Sequence, residues 1–117
     1  MTSKVLLTGA TGFIGKRLLY KLDENGHQVR CLVRPPEKLV LPRPLSHEPE
    51  IVYGDLLKPE TVKEALNGMD AAYYLVHSMG GRSIRQTHAF EEKDRTAAKN
   101  FLDASDSVGL SRIIYLG

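Results

Sequence analysis

Three glycines lie three residues apart near the start of the chain, directly after an apolar run, in the stretch "VLLTGATGFIGKRL". Gly9 can form the tight turn that leaves a strand, Gly12 lets a ligand approach the backbone without a Cβ in its path, and Gly15 lets the following helix pack closely on the sheet. A loop with so few side chains exposes backbone N–H groups, which are suitable partners for an anion. The spacing therefore predicts an anion-binding turn between a strand and a helix.

The helix that follows these glycines is expected to present unpaired N–H groups at Gly12, Phe13 and Ile14, at the positive end of its dipole. Thr11 lies within the same loop and joins the candidate binding residues. A diphosphate fits such a site, so we predict nucleotide binding rather than a purely structural turn, which is the alternative. Because no lysine followed by Ser or Thr closes the loop, a triphosphate-binding P-loop and simple nucleotide hydrolysis are not expected.

The elements that must position this loop alternate between short apolar strands and helices. Runs rich in Val, Ile, Leu and Tyr predict strands at residues 4–8, 28–34, 50–55, 71–77 and 112–117. Most of them lack a polar face, which is typical of parallel strands covered on both sides. This predicts an α/β fold with a doubly wound parallel sheet of five strands in the order 3-2-1-4-5. Ligands in such sheets bind at the carboxyl ends of strands 1 and 4, where the glycines lie.

Apolar residues at helical spacing predict three helices between these strands. The first ends near Gly26, the second runs from Pro59 to Gly68, and the third runs from about Ile84 to Ser107. The residues predicted to face inward are Ile14, Leu18, Leu19 and Leu22 in the first helix, Val62, Ala65 and Leu66 in the second, and Phe90, Ala97, Ala98, Phe101 and Leu102 in the third. Five of the six prolines lie between residues 35 and 49, which excludes a long helix from that crossover.

The composition limits which binding partners and which cellular compartment are expected for this protein. The 117 residues include 16 Lys and Arg and 14 Asp and Glu, and a net charge of +2 gives no general attraction to nucleic acid or an anionic membrane. Cys31 is the only cysteine and lies in an apolar stretch, so we expect a buried structural thiol and no internal disulfide. The apolar run at the N terminus is too short for a signal peptide or a membrane span, and we expect a cytoplasmic protein. His27, His47 and His88 have no metal-ligand spacing, so no metal site is predicted.

These motifs carry a resemblance to a known family. The segment "TGATGFIG" resembles the T-G-x-x-G-x-x-G signature of the extended and atypical short-chain dehydrogenase/reductases, which include nucleotide-sugar epimerases and NmrA-like regulators. In family order, "GHQVRCLVR" resembles the second strand, "YGDL" the adenine-contacting turn, "AAYYLVHS" the fourth strand, and "AAKNFLDASDSVGLSRIIYLG" the long helix and fifth strand. The resemblance covers nearly the whole chain and implies that residues 1–117 form a Rossmann-type NAD(P)-binding domain.

Arg34 ends the predicted second strand, nineteen residues after Gly15, where an acidic residue would hold the ribose hydroxyls of NAD. A cation at this place favours the 2′-phosphate of NADP through a charge-assisted hydrogen bond. We therefore predict NADP as the cofactor, with NAD as the alternative. A solvated arginine at a strand end is the structural explanation, and Lys16 and Arg17 could assist in binding.

The resemblance implies further cofactor contacts. The Asp55 carboxylate would meet the adenine amino group and Leu56 would cover the ring, although an aspartate in a turn also commonly caps its own backbone. Val76, His77 and Ser78 end the fourth strand, where family members bind the nicotinamide ribose. We assign His77 a cofactor-lining role rather than that of a general base, because the sequence identifies no partner carboxylate for it.

Catalytic residues are not assigned. Family members that reduce carbonyls or epimerise sugars use a Tyr-x-x-x-Lys pair, and none of the five tyrosines here has a lysine four residues later. The family places this pair after strand five, where this chain ends. We therefore expect the chain to be the N-terminal part of a longer protein, truncated before the C-terminal substrate part, or to bury its last strand by association.

Two classes of function remain open. In the first, the segment supplies the cofactor-binding half of an NADP-dependent oxidoreductase or epimerase-like enzyme that acts on a small-molecule substrate. In the second, it belongs to a non-catalytic redox sensor, regulator or structural subunit that binds the dinucleotide without turning it over. A homodimer through the third helix could accompany either function, although one apolar stripe is better explained by packing on the sheet.

Overall fold

The computed structural model describes residues 3–75 and 84–116. Strands and helices alternate along these residues except between the second and third strands, and each strand begins at the residue that the sequence predicts. The elements are β1 (Lys4–Thr8), α1 (Phe13–Glu24), β2 (Gln28–Val33), β3 (Glu50–Tyr53), α2 (Pro59–Leu66), β4 (Ala71–Leu75), α3 (Ile84–Val108) and β5 (Arg112–Leu116).

The strands form one parallel sheet in the order β3-β2-β1-β4-β5, which confirms the predicted topology. β1 lies at its centre, where Leu6 pairs with Arg30 of β2 on one side and with Ala72 of β4 on the other. Because both faces of the sheet are covered, Val5 and Leu7 of β1 are buried as well as Leu6. The chain winds outward from β1 in both directions, so a crevice is expected beyond the carboxyl ends of β1 and β4.

Two strands are shorter than predicted. β2 ends at Val33 rather than at residue 34, and β3 ends at Tyr53 rather than at residue 55. The Gly54 N–H still bonds the Val33 carbonyl at 3.0 Å, but the Asp55 N–H bonds the Thr61 hydroxyl at 3.0 Å instead of a neighbouring strand. The chain therefore leaves the sheet at Gly54.

One face of the sheet packs against α2 and α3. Phe101 of α3 is 2% exposed, and its ring centroid lies 4.8 Å from that of Tyr74 in β4. The buried residues of this cluster are Leu6, Leu32, Val62, Ala65, Leu66, Ala72, Tyr74, Phe101 and Ala104.

Neither α3 nor any other helix in the described residues is long and apolar enough to cross a membrane.

The other face packs against α1 and the proline-rich crossover between β2 and β3. Leu19 of α1 is buried on Leu7 and Cys31 of the sheet, and Leu39 and Leu45 of the crossover pack on the same cluster. The crossover contains no helix, as its prolines predict. Cys31 is a free thiol with no exposed surface, and burial raises its pKa to about 12, which confirms the prediction of a structural cysteine.

Two residues predicted to face inward do not. Ile14 is 62% exposed and Leu102 is 58% exposed. Ile14 lies in the first turn of α1, where Gly15 rather than Ile14 faces the protein. In α3 the buried face contains Ala97, Phe101 and Ala104, and the next residue along a helix is rotated by about 100°, which turns Leu102 toward solvent.

Candidate functional site

The glycine loop begins with a left-handed residue. Gly9 has φ +77°, and a Cβ on it would lie 3.1 Å from the Leu75 Cβ. The turn is closed by a 3.1 Å bond from the Gly12 N–H to the Gly9 carbonyl. The prediction of an unpaired N–H at Gly12 is therefore wrong, because the tight turn itself uses that donor.

Gly15 allows α1 to pack against the backbone of the loop. A Cβ on Gly15 would lie 1.8 Å from the Gly9 carbonyl oxygen and 2.9 Å from the Ala10 Cα. No side chain fits at this position without movement of the loop backbone. A close approach is found at Gly15 as predicted, but the surface it contacts is the loop backbone of Gly9 and Ala10 rather than the sheet.

The N terminus of α1 has no side-chain cap. Gly12 takes the N-cap position in an extended conformation, and no acidic residue lies in the first turn. Within the described residues, the N–H groups of Phe13 and Ile14 form no hydrogen bond, while their side chains are exposed. Two backbone donors and the positive end of the helix dipole are therefore free to bind an anion, as a diphosphate site requires.

The Thr8 side chain hydrogen-bonds β1 to β4 next to this loop. Its hydroxyl donates to the Tyr73 carbonyl at 3.1 Å and accepts the Leu75 N–H at 3.1 Å. These bonds hold β1 and β4 together at the point where the two halves of the sheet diverge. Thr8 is the first residue of the T-G-x-x-G-x-x-G signature, but the sequence does not predict its hydrogen bonds to β4, because they join residues that are far apart in the chain.

A polar cluster joins the glycine loop to the end of β2. The Glu37 carboxylate accepts a hydrogen bond from the Thr11 hydroxyl at 2.8 Å, and its other oxygen lies 3.5 Å from the Arg34 Nε. The Glu37 N–H also bonds the Arg34 carbonyl at 2.9 Å, which folds residues 34–37 into a turn. The structure thus brings Thr11 and Arg34 to one carboxylate, that of Glu37, a residue that the sequence did not single out.

Asp55 and Leu56 lie in the turn between β3 and α2. The Asp55 carboxylate accepts the Leu57 N–H at 2.9 Å, which is the backbone cap that the sequence analysis held as the alternative to adenine contact. Leu56 is half-buried against the core, and its carbonyl accepts a 2.8 Å bond from the Asn100 side chain of α3. Both residues therefore have structural roles. The second carboxylate oxygen of Asp55 forms no hydrogen bond with another described residue.

Val76, His77 and Ser78 lie outside the described residues. The strand that leads to them, β4, ends at Leu75, which lies beside Gly9 of the glycine loop. Tyr74, in the same strand, is buried, and this burial raises its pKa to about 12, with the charge of Asp94 and the neighbouring Tyr115 as smaller causes. Among the residues with described side chains, no group of three His, Cys, Asp or Glu could hold a metal ion.

The sheet order, the glycine turn and the uncapped N terminus of α1 define a class of protein. They are the parts of a Rossmann-type domain that binds a dinucleotide at the switch point of its sheet. A family model described as NAD(P)H-binding matches residues 9–117. The chain belongs to this family, which confirms the resemblance to the short-chain dehydrogenase/reductases.

Curated relatives and solved structures agree with this assignment. The chain is 31% identical to a 3-beta-hydroxysteroid dehydrogenase from Mycolicibacterium neoaurum, over 96% of this chain and 31% of the relative. It is 28% identical to the photosystem II assembly factor Ycf39 of Synechocystis sp., over 96% and 32%. The crystal structure of gox2253 superposes with a TM-score of 0.83 at 30% identity, over 97% of this chain and 34% of that one. The chain therefore spans about a third of the length of the curated relatives it matches.

Proposed function

We propose that residues 1–117 are the cofactor-binding domain of an NADP-preferring oxidoreductase or epimerase of the short-chain dehydrogenase/reductase type. The observation that carries the choice of NADP is the position of Arg34. Arg34 follows β2 directly and its side chain is 63% exposed. Its guanidinium and the Thr11 hydroxyl of the glycine loop contact the same Glu37 carboxylate. A cation placed there suits the 2′-phosphate, which is the group that distinguishes NADP from NAD.

Each candidate residue has a role in this proposal. The turn of Gly9, Gly12 and Gly15 leaves the N–H groups of Phe13 and Ile14 open to the diphosphate. Asp55 and Leu56 flank the adenine, and Thr11 lies beside Arg34 at the adenosine phosphate. Val76, His77 and Ser78 follow β4 and line the nicotinamide ribose. The bound cofactor supplies the hydride chemistry, while these residues bind and orient it.

The proposal is tested by calorimetric titration of NADP⁺ and NAD⁺ into the wild type and Arg34→Ala. We expect the wild type to bind NADP⁺ more tightly, and Arg34→Ala to weaken NADP⁺ binding by about tenfold, since a charge-assisted bond to an exposed guanidinium is screened by solvent. NAD⁺ affinity should stay within about twofold, because NAD lacks the phosphate that Arg34 would bind.

The matched control is Arg112→Ala. Arg112 is exposed and begins β5 at the opposite edge of the sheet, so its removal changes the net charge equally without touching the site. Equal affinity of the wild type for both cofactors would refute the NADP preference. An equal loss in Arg112→Ala would show that the effect of Arg34 is only general electrostatic attraction.

A second candidate function is a non-catalytic, dinucleotide-binding regulator or assembly factor. It is favoured by the similarity to the photosystem II assembly factor Ycf39. NADPH oxidation by the full-length protein with carbonyl substrates would support the enzyme, and tight binding without oxidation would support the regulator.

In either case we place the protein in the cytoplasm, which suits the free thiol of Cys31, and a homodimer would be detected by light scattering.

A further inference from the structure

Glu37 contacts Thr11 and Arg34, the two side chains that would bind the 2′-phosphate in the proposed function. One of its carboxylate oxygens accepts the Thr11 hydroxyl at 2.8 Å, and the other lies 3.5 Å from the Arg34 Nε. The carboxylate is an anion with two oxygens directed at a hydroxyl donor and a guanidinium. It therefore occupies these donors in the way that a phosphate would.

The local backbone holds Glu37 in this position. The bond from the Glu37 N–H to the Arg34 carbonyl, 2.9 Å long, closes a turn directly after β2 and directs the side chain back toward the glycine loop. Thr11 and Glu37 are far apart in the sequence, and they meet because β1 and β2 are neighbours with their carboxyl ends at one edge. The contact thus follows from the sheet order.

Folding stability does not explain this cluster. The side chains of Arg34 and Glu37 are 63% and 43% exposed, and exposed ion pairs contribute little to the free energy of unfolding. For the same reason the carboxylate can be displaced by a ligand at small cost. An exposed cluster of this kind affects binding at the surface more than it affects the fold.

We propose, on the basis of the proposed function, that Glu37 is a specificity-determining residue that competes with the adenosine 2′-phosphate for Arg34 and Thr11. NADP must displace the carboxylate and then tolerate its charge nearby, whereas NAD leaves both of its bonds in place. Glu37 therefore lowers the preference for NADP that Arg34 creates. The balance between the two cofactors is set by this pair of opposite charges rather than by Arg34 alone.

The test measures the dissociation constants of NADP⁺ and NAD⁺ for the wild type and Glu37→Gln at one fixed ionic strength. Removing one negative charge close to a phosphate should tighten NADP⁺ binding by about 5- to 20-fold and change NAD⁺ binding by less than about twofold. Glu37→Ala, which also removes the hydrogen bond to Thr11, should show the same change in selectivity.

Glu48→Gln is the control, because Glu48 lies in the same crossover and is exposed, but it lines a cavity with Gly26 and His27 at the amino ends of the strands. It should alter neither constant. In an Arg34→Ala background, the gain from Glu37→Gln should shrink, because the competition for the guanidinium is gone.

The possible outcomes distinguish the role of Glu37 from the proposed function. Unchanged or weaker NADP⁺ binding in Glu37→Gln, with the wild type binding a dinucleotide normally, refutes the role of Glu37 and leaves the proposed function intact. A wild type that binds neither NADP⁺ nor NAD⁺ refutes the proposed function and the role of Glu37 together. A gain equal to that of Glu48→Gln assigns the effect to net charge and also refutes competition at this site.

Discussion

At the scale of single residues, the site depends on the lack of a Cβ at Gly15. The Cβ of any other residue would lie 1.8 Å from the Gly9 carbonyl oxygen, so the helix and the turn cannot both keep their positions. The contact is between two backbone segments, which cannot yield in the way that a flexible side chain can. Gly15 therefore sets how closely α1 approaches the glycine loop, where the dinucleotide site is proposed.

We expect Gly15→Ala to lower the free energy of unfolding by about 3 kcal/mol, because the loop backbone must shift to accept the methyl group. Dinucleotide binding should weaken with it, since the N–H groups of Phe13 and Ile14 would move. Urea denaturation followed by circular dichroism measures the loss of stability.

Gly68→Ala is the control for Gly15→Ala. Gly68 has φ +82°, but a Cβ on it would meet no other atom within 4 Å, so only the conformational cost of about 1–2 kcal/mol applies. Equal losses in the two variants would mean that the close contact at Gly15 has no energetic consequence.

At the scale of elements, the crossover between β2 and β3 is held without a helix. Asp23, near the end of α1, is 8% exposed and accepts the backbone N–H groups of Ser46 at 2.8 Å and His47 at 3.0 Å. The bond from Ser46 is the largest cause that lowers the pKa of Asp23, and the bond from His47 acts in the same direction. One carboxylate thus accepts two backbone hydrogen bonds from a crossover that contains no helix.

The lowered pKa of Asp23 predicts a pH-dependent contribution to stability. A carboxyl group whose pKa is lower in the folded state stabilises the protein above its unfolded pKa, and this contribution is lost as the pH falls through the folded value. Asp23→Asn should therefore lower the free energy of unfolding at pH 7, since an amide oxygen cannot accept both N–H groups while its own NH₂ faces one of them. The difference from the wild type should shrink below about pH 4.

The control for Asp23→Asn is Asp103→Asn. Asp103 is exposed on α3 and bonds the Lys99 side chain at 2.9 Å, so it is charged but holds no backbone N–H group of the crossover. Chemical denaturation at a series of pH values compares the two variants. A stability difference for Asp23→Asn that is constant from pH 7 to acid would contradict the role of the ionised carboxylate.

At the scale of the whole molecule, the sheet is stabilised by a core on each face. Among the α3 residues whose side chains are described, Phe101 is the large side chain that is fully buried in one of these cores. Phe101 contacts the Tyr74 ring, and Tyr74 in turn stacks on Tyr115 with centroids 5.7 Å apart. This row of rings runs from the helix across β4 to β5, the edge strand. Removal of the Phe101 ring, one of the two buried rings in this row, should affect the fold beyond α3.

We expect Phe101→Ala to lower the free energy of unfolding by about 3–5 kcal/mol, the usual cost of a cavity left by a buried aromatic ring. Leu102→Ala should cost less than about 1 kcal/mol, because Leu102 is 58% exposed. Thermal and chemical denaturation give both values. A larger loss for Leu102→Ala than for Phe101→Ala would mean that α3 presents the other face to the sheet.

The features that the sequence predicts are those encoded by local spacing. The strand order, the starts of the strands, the positions of Gly9 and Gly15, and the helix-free crossover all follow from patterns within a few residues, combined with general rules for parallel sheets. The glycine loop was recognised because its function requires the removal of side chains, which leaves a mark on the sequence itself.

The features that only the tertiary structure decides are contacts between segments that are distant in the chain. Glu37 meets Thr11 because β1 and β2 are neighbours, and Asp23 meets Ser46 because the crossover returns over α1. Neither pair has a period or spacing that a sequence pattern could reveal. The sequence by itself predicted a dinucleotide site at the glycine loop and a cation, Arg34, near it. The contact of Glu37 with Thr11 became apparent only in the tertiary structure, because electrostatic interactions depend on distance in space and the sheet order sets that distance.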